Sequence, residues 1–166
     1  MDKKKVALIF IIIFSSITLR QILFNTPKMP LDKTTLTFEN GTIFEKSALQ
    51  NKVSIISFYQ TWCGDCRAEQ KDLLQLHQQY GDKLQILFVS DEEWAKVDEM
   101  KNHLQTTDLT FLKSDKSLKS IGIRRFPTTY LVDKNGKVRL NKVEAKDWNT
   151  PEMKKIIESL IAKIML

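Results

Sequence analysis

The chain contains two cysteines, which lie three residues apart in the sequence Cys63-Gly64-Asp65-Cys66. Because there is no third cysteine, these two can bond only to each other, to a partner molecule or to a metal ion. A catalyst of thiol–disulfide exchange needs one exposed, partly ionised thiol and a second thiol close enough to resolve the mixed disulfide that the first one forms. The spacing of this pair suits that chemistry.

The segments on either side of the pair predict a strand followed by a helix. Residues 53–59 form a nearly continuous apolar run with β-branched side chains, which is typical of a strand buried on both faces. A helix is predicted over Gly64–Tyr80, and Gly81 is predicted to end it. Cys63 would then lie at the helix N-terminus, where free amides and the helix dipole stabilise a thiolate. Cys66, one turn further on and more buried, would resolve the mixed disulfide that Cys63 forms.

Two other uses of the cysteine pair compete with this interpretation. A plain structural disulfide would close a very small loop, so it would constrain the unfolded chain little. A structural zinc site usually needs four ligands, and the histidines, His77 and His103, stand alone with no second cysteine pair. We therefore predict a redox-active disulfide between Cys63 and Cys66, with no metal and no other cofactor.

The remaining patterns predict an α/β domain in which a parallel unit joins an antiparallel hairpin, with helices on both faces of the sheet. Further strands are predicted at residues 36–40, 84–89, 109–112, 126–132 and 137–140. A second helix is predicted to run to about residue 104, with residues 90–93 as its cap and first turn. A short helix is predicted at residues 116–121, and the turn 133–136 closes the hairpin.

The last predicted helix begins with Thr150 as its cap and Pro151 at its first position. Six apolar residues recur in it at helical spacing, which indicates a face that packs on the core. They are Met153, Ile156, Ile157, Leu160, Ile161 and Ile164.

Residues 1–24 differ from the rest of the chain. Three lysines precede an apolar run over residues 6–19, and residues 22–24 continue it after Arg20 and Gln21. A run with no polar face until Ser15 belongs in lipid or in a translocon, and the lysines predict that the rest of the chain is exported across the cytoplasmic membrane.

Two interpretations of this segment remain open. A cleaved signal peptide has an apolar region of about 7–15 residues, which residues 6–19 fit. An uncleaved anchor needs about 20 residues, which residues 6–24 provide if Arg20 snorkels toward the head groups. No Ala-x-Ala site follows, so we favour a single-pass anchor with an extracytoplasmic domain. The predicted division is residues 1–24 as anchor or signal, 25–35 as stalk and 36–166 as the catalytic domain.

The composition argues against a nucleic-acid partner. Hydrophobic residues make up 42% of the chain, which is sufficient for a core. The formal net charge is +6, but residues 1–24 hold four of the 26 basic and one of the 20 acidic residues. The remainder has 22 basic against 19 acidic residues and no basic stripe interleaved with aromatics.

Two segments carry a resemblance to a known family. The sequence Trp62-Cys63-Gly64-Asp65-Cys66-Arg67-Ala68-Glu69 is similar to the active site of the TlpA/ResA group of membrane-anchored, thioredoxin-like proteins. Residues 126–136 resemble the second signature of that group, and the match runs in order from about Leu36 to the end. The resemblance implies a thioredoxin fold, with a central mixed β-sheet flanked by helices and preceded by a hydrophobic N-terminal helix.

The resemblance also implies how a substrate would bind. In that group the proline at the position of Pro127 has a cis peptide bond and lies against the cysteine pair. A cis bond there would leave Phe126 free to pair its main chain with an extended substrate segment. The alternative is a trans proline at the start of a strand. Trp62, next to Cys63, would contact the substrate and shield the thiols, or simply anchor the loop.

The chain departs from the family pattern beside both cysteines. Asp65 replaces a frequent proline, and its charge, within roughly 7 Å of Cys63, opposes thiolate formation by on the order of 1 kcal/mol. This favours a reducing couple, although Arg67 acts in the opposite direction. Ser57 stands where many thioredoxins have a buried acid, and Glu69 could instead relay a proton or tune the thiols. The alternative for Glu69 is a solvated or packing carboxylate on the helix.

The predicted function is reduction of disulfides in exported proteins by a monomer. Apocytochrome c cysteines are a substrate typical of the family, and a membrane protein would supply the electrons. Three alternatives stay open from the sequence: a thiol peroxidase, a metal-binding or copper-delivery module on the same fold, and a redox-inert adaptor.

Overall fold

The computed structural model describes residues 28–104 and 109–163, which form one mixed β-sheet with flanking helices. The strands are β1 (Leu36–Thr37), β2 (Val53–Phe58), β3 (Leu84–Ser90), β4 (Thr110–Ser114), β5 (Thr128–Val132) and β6 (Val138–Val143). The α-helices are α1 (Gly64–Tyr80), α2 (Trp94–Leu104) and α3 (Pro151–Ala162). Short 3-10 helices cover Pro30–Lys33, Lys46–Leu49 and Gly81–Lys83. The predicted thioredoxin-like architecture is confirmed.

The strand order in the sheet is β1-β4-β3-β2-β5-β6. Strands β2, β3 and β4 run parallel, and the other three are antiparallel to their neighbours. Strand β2 is central, with Ile55 opposite Ile86 on one side and Leu131 on the other. Every residue of β2 is buried, as expected for a strand covered on both faces. The chain leaves the end of this strand and reaches Cys63 after a loop of four residues.

The three α-helices pack into one hydrophobic core on a single face of the sheet. Strands β2, β3 and β4 occupy successive positions, so the chain advances in the same direction at each crossover. Right-handed crossovers in one direction place their helices on the same face. The second face is covered by the 3-10 helices Pro30–Lys33 and Lys46–Leu49, which the sequence analysis did not predict. The helix Pro30–Lys33 buries Leu31, so this part of the predicted stalk packs on the domain.

The predicted short helix at residues 116–121 is wrong. This segment forms hydrogen-bonded turns, in which the N–H groups of Ile121 and Ile123 donate to the carbonyls of Ser117 and Leu118. The segment crosses the second face of the sheet, where Leu118, Ile121 and Ile123 are all buried. An Asp91 carboxylate oxygen also accepts a hydrogen bond from the Leu118 N–H at 2.8 Å. These tertiary contacts stabilise the turns in place of the predicted helix.

The last helix begins as predicted but buries fewer residues. Met153 and Ile157 are buried, whereas Ile156 is 40% exposed. Leu160 and Ile161 are partly buried against the core, and Ile164 lies outside the described residues. The predicted apolar face includes Ile156, but this side chain is exposed. The face that α3 packs on the core is therefore narrower than predicted.

We expect Thr150→Ala to lower the free energy of unfolding by about 1 kcal/mol. The Thr150 side-chain oxygen caps α3 by accepting a hydrogen bond from the Met153 N–H at 3.2 Å. Urea denaturation measures the change, and Thr150→Ser, which keeps the hydroxyl, is the matched control. Equal stability of the alanine and serine variants would contradict a role for this cap.

No helix in the described residues is long and apolar enough to cross a membrane. The span predicted in residues 1–24 lies outside those residues, so both the anchor and the predicted domain division remain predictions.

Candidate active site

Cys63 and Cys66 form a disulfide at the beginning of α1. Cys63 is the N-cap of the helix, and its Sγ accepts a hydrogen bond from the Cys66 N–H at 3.1 Å. Cys63 is 8% exposed and Cys66 is 1% exposed, in the order expected for an attacking and a resolving thiol. A partner disulfide can therefore approach Cys63 while Cys66 lies behind it.

An aromatic pair stands beside the disulfide. Trp62 is 68% exposed, and its ring meets that of Phe126 edge-on with centroids 6.0 Å apart. The Phe126–Pro127 peptide bond is cis, as predicted. The structure thus brings the two predicted signatures together, with aromatic surface available to a substrate next to Cys63.

The loop before Cys63 is held by acids from the end of β3. The Glu92 carboxylate accepts hydrogen bonds from the N–H of Thr61 at 2.6 Å and from its hydroxyl at 2.9 Å. Asp91 accepts a hydrogen bond from the Gln60 amide. Residues 90–93 were predicted as the cap and first turn of a helix, but α2 begins only at Trp94. Asp91 and Glu92 stabilise the active-site loop instead.

The loop that carries Pro127 is fixed by the end of β6. The Pro127 carbonyl accepts a hydrogen bond from the Glu144 N–H at 2.8 Å, and the Thr128 hydroxyl donates to the Arg125 carbonyl at 2.7 Å. Glu144 has a φ of 69°, in the left-handed region that a glutamate rarely adopts. This backbone turn directs its N–H at Pro127 and so holds the loop beside Trp62.

Glu69 is a buried carboxyl with a complete set of hydrogen-bond donors. Its Oε1 accepts from the hydroxyls of Ser57 at 2.9 Å and Thr129 at 2.6 Å, and its Oε2 accepts from the Trp148 indole N–H at 2.9 Å. The residue is 2% exposed, so the alternative of a solvated carboxylate is wrong. Burial raises the pKa of Glu69 above its usual value, although the three hydrogen bonds act in the opposite direction.

One known protein family matches most of the chain. The model of the AhpC/TSA family matches residues 27–141, which are more than half of the chain. The chain belongs to the AhpC/TSA family.

Two known proteins are similar in sequence to this chain. The "Thioredoxin-like protein YneN" of Bacillus subtilis is 34% identical over 104 residues, which are 57% of this chain and 60% of that protein. The "Thiol-disulfide oxidoreductase ResA" of Bacillus cereus is 31% identical over 102 residues, which are 59% of this chain and 58% of that protein. The chain therefore spans about three fifths of the length of these relatives. The predicted similarity to the TlpA/ResA group is confirmed.

Solved structures agree on the fold. The crystal structure of a "putative Thiol:disulfide interchange protein DsbE from Chlorobium tepidum" matches with a TM-score of 0.65. The match covers 77% of this chain and 92% of that chain at 21% sequence identity. At this level of identity the likeness shows the thioredoxin-like fold alone.

Sequence reasoning missed three residues that this family member places around Glu69. Thr129 lies in a predicted strand, Ser57 was noted only as replacing a buried acid, and no local pattern marks Trp148 as a partner of an acid. All three residues are buried, and Thr129 on β5 lies opposite Ser57 on β2. A buried acid is thus present near the cysteines after all, but α1 supplies it instead of β2.

The other residues that the sequence analysis considered beside the cysteines, Asp65 and Arg67, are exposed. Asp65 is exposed in the first turn of α1. Arg67 is exposed too, and its Nη1 donates to the Thr61 carbonyl at 3.0 Å. Within residues 28–104 and 109–163, no three histidine, cysteine or acidic side chains converge in a way that could hold a metal ion.

Proposed function

We propose that the chain is a thiol–disulfide oxidoreductase that acts on exported proteins through a Cys63/Cys66 dithiol–disulfide cycle. The observation that carries the proposal is the Cys63–Cys66 disulfide at the N-terminus of α1, beside the exposed Trp62. The ResA relative, a thiol-disulfide oxidoreductase by name, and the membership of the AhpC/TSA family support the same activity.

The cycle runs in two exchange steps when the protein acts as a reductant. The Cys63 thiolate attacks a substrate disulfide, which forms a mixed disulfide and releases one substrate thiol. The Cys66 thiol then loses its proton and attacks the Cys63 sulfur, which releases the second substrate thiol. Two electrons have passed to the substrate, and the Cys63–Cys66 disulfide must be reduced again by a dithiol donor.

The substrate is a protein segment that binds in an extended conformation. No hydrogen bond within the described part of the chain uses the peptide N–H or C=O of Phe126, so both are available to pair with a partner strand. An open cavity of about 530 Å³ continues from Trp62 toward α2 and is lined by Arg67, Lys96 and Met100 among others. Side chains that flank the substrate cysteine can be accommodated there.

The direction of electron flow is toward the substrate, because Asp65 disfavours the Cys63 thiolate and so favours the disulfide form. Reduction of apocytochrome c cysteines is one reaction that such a couple can perform. Equilibration with glutathione measures the reduction potential. A potential near the oxidising end of the range for thioredoxin-like proteins, about −120 mV, would contradict this direction.

Residues 1–24 attach the protein to the cytoplasmic membrane and place the catalytic domain on the extracytoplasmic side, where a membrane protein donates electrons. The apolar run and the preceding lysines support this arrangement. Extraction of membranes with alkaline carbonate tests it, because an anchored chain stays in the pellet and a chain with a cleaved signal is released.

The test of the activity is a trap with Cys66→Ser. This variant keeps the attacking thiol but cannot resolve the mixed disulfide, so exported partners should remain linked to Cys63 until a reductant is added. The matched control is the variant that carries both Cys63→Ser and Cys66→Ser, which should trap nothing. Absence of any reductant-sensitive adduct with Cys66→Ser would overturn the proposed activity.

Assays of the unchanged protein and of its cysteine variants distinguish the alternative functions. A thiol peroxidase would consume hydrogen peroxide and leave insulin disulfides intact, and a copper-delivery module would bind Cu(I) in a titration at neutral pH. A redox-inert adaptor would keep its cellular activity in Cys63→Ser. Any of these outcomes without reduction of insulin would count against disulfide exchange.

A further inference from the structure

Gln70 is a buried glutamine on α1 that is only 1% exposed. Among the described residues, neither Nε2 nor Oε1 of its amide has a hydrogen-bond partner. Burial without a partner is unfavourable, because the amide gives up the hydrogen bonds that it makes to water. Native proteins retain few such groups, so the position of this amide needs a physical explanation.

Helix geometry places Gln70 on the same face of α1 as Cys66. Residues four apart in a helix lie on the same face, and long side chains lean over the preceding turn. Gln70 follows Cys66 by four residues, and Cys66 is equally buried at 1% exposure. Arg67, the other neighbour at helical spacing, is exposed and directed to the Thr61 carbonyl. Of these two neighbours, only Cys66 is buried with the amide.

The redox state changes what Cys66 offers to this amide. In the disulfide form the Cys66 sulfur is bonded to Cys63 and does not accept a hydrogen bond from Gln70. Reduction frees the Cys66 side chain to rotate and converts its sulfur into a thiol or thiolate. A thiolate accepts hydrogen bonds from N–H donors much more strongly than a neutral sulfur does.

We infer that Gln70 is a positioning residue whose amide is unpaired in the disulfide form and donates a hydrogen bond to the Cys66 sulfur in the dithiol form. The inference rests on the proposed redox cycle of the cysteine pair. Gln70 stabilises the reduced protein relative to the oxidised one, because only reduction gives its amide a partner. It therefore makes the couple less reducing than it would be with an apolar residue at this position.

The inference can be measured on the chain's own disulfide without a protein substrate. Two glutathione thiols reduce the Cys63–Cys66 disulfide, whose S–S bond breaks while glutathione disulfide forms. The two glutathione protons end on the two cysteine sulfurs. The equilibrium constant of this reaction compares the reduced and oxidised proteins directly, and alkylation followed by mass spectrometry measures their ratio.

The experiment compares the full-length protein with Gln70→Leu in a series of glutathione buffers. Leucine has a similar volume and fills the site, but it cannot donate a hydrogen bond to Cys66. We expect the equilibrium constant for reduction to fall about tenfold, which corresponds to a potential about 30 mV more negative. Gln70→Met, which is also apolar and close in size, should show the same fall.

The matched control is Gln78→Leu, because Gln78 lies on the same helix but is exposed. We expect its equilibrium constant to equal that of the unchanged protein. Constants for Gln70→Leu and Gln70→Met within about threefold of the unchanged protein would overturn the inference, since the amide would then be equally unpaired in both redox states. The proposed function fails separately, through the absence of trapped partners with Cys66→Ser.

Discussion

Replacing Cys63 with serine is expected to lower the rate of insulin disulfide reduction by about a thousandfold or more. A serine hydroxyl is not ionised near neutral pH and does not exchange with disulfides. The remaining thiol, Cys66, is 1% exposed, so a protein disulfide cannot reach it readily. The assay follows insulin precipitation with dithiothreitol as the electron donor.

The loss should reflect chemistry and not unfolding. The Cys63–Cys66 disulfide closes a loop with a sequence separation of 3, so its removal changes the entropy of the unfolded chain little. Far-UV circular dichroism of Cys63→Ser should therefore match that of the unchanged protein. A folded Cys63→Ser protein that kept more than about a tenth of the activity would show that reduction does not pass through Cys63.

The position of the cysteine pair could be predicted because local signals determine it. The bounds predicted for α1, Gly64–Tyr80, are those observed, and Gly81 follows with a φ of 53° that suits a glycine at a helix end. The apolar run before Trp62 likewise determines a central strand. Only the short loop 59–62 separates the end of β2 from Cys63, so these two local elements place Cys63 at the helix N-terminus.

The surroundings of Glu69 could not be predicted because they are entirely tertiary. Its hydrogen-bond donors, Ser57, Thr129 and Trp148, lie 12, 60 and 79 positions away in the sequence. No local pattern distinguishes a glutamate with such partners from one that faces water. The same holds for Asp91 and Glu92, whose position before a helix predicts a cap but whose carboxylates contact the active-site loop.

Replacing Glu69 with glutamine is expected to remove a pH dependence of stability while preserving the packing. A glutamine oxygen can still accept from the Trp148 N–H, and its NH₂ can donate to the hydroxyls of Ser57 and Thr129, which also act as acceptors. Glu69→Gln should therefore fold. Glu69→Leu instead leaves the buried Trp148 N–H unpaired and should lose about 1–3 kcal/mol of stability.

The sign of the pH effect follows from the direction of the pKa shift. Burial raises the pKa of Glu69 in the folded protein above the value of 4.5 expected in the unfolded chain. As the pH rises from 4.5, the unfolded chain loses this proton first, so the free energy of unfolding falls until the pH passes the folded pKa. Asp72, whose pKa burial also raises, contributes a fall of the same sign in both proteins. The difference between the two denaturation curves therefore reports the titration of Glu69, including the part of its raised pKa that is due to the charge of Asp72, and identical curves would contradict its titration.

We propose that Glu69 also takes part in the resolution step. Glu69 and Cys66 are three residues apart on one face of α1 and are both buried, and in this proposal the carboxylate takes the proton that Cys66 must lose before it attacks the mixed disulfide. A raised pKa makes the carboxylate a better base for a thiol, whereas an amide cannot accept the proton. We expect Glu69→Gln to slow release of the second substrate thiol about a hundredfold and to leave formation of the mixed disulfide unchanged. Stopped-flow measurement of the two steps separates them, and equal slowing of both would indicate that Glu69 acts on the structure of the site and not on the proton of Cys66.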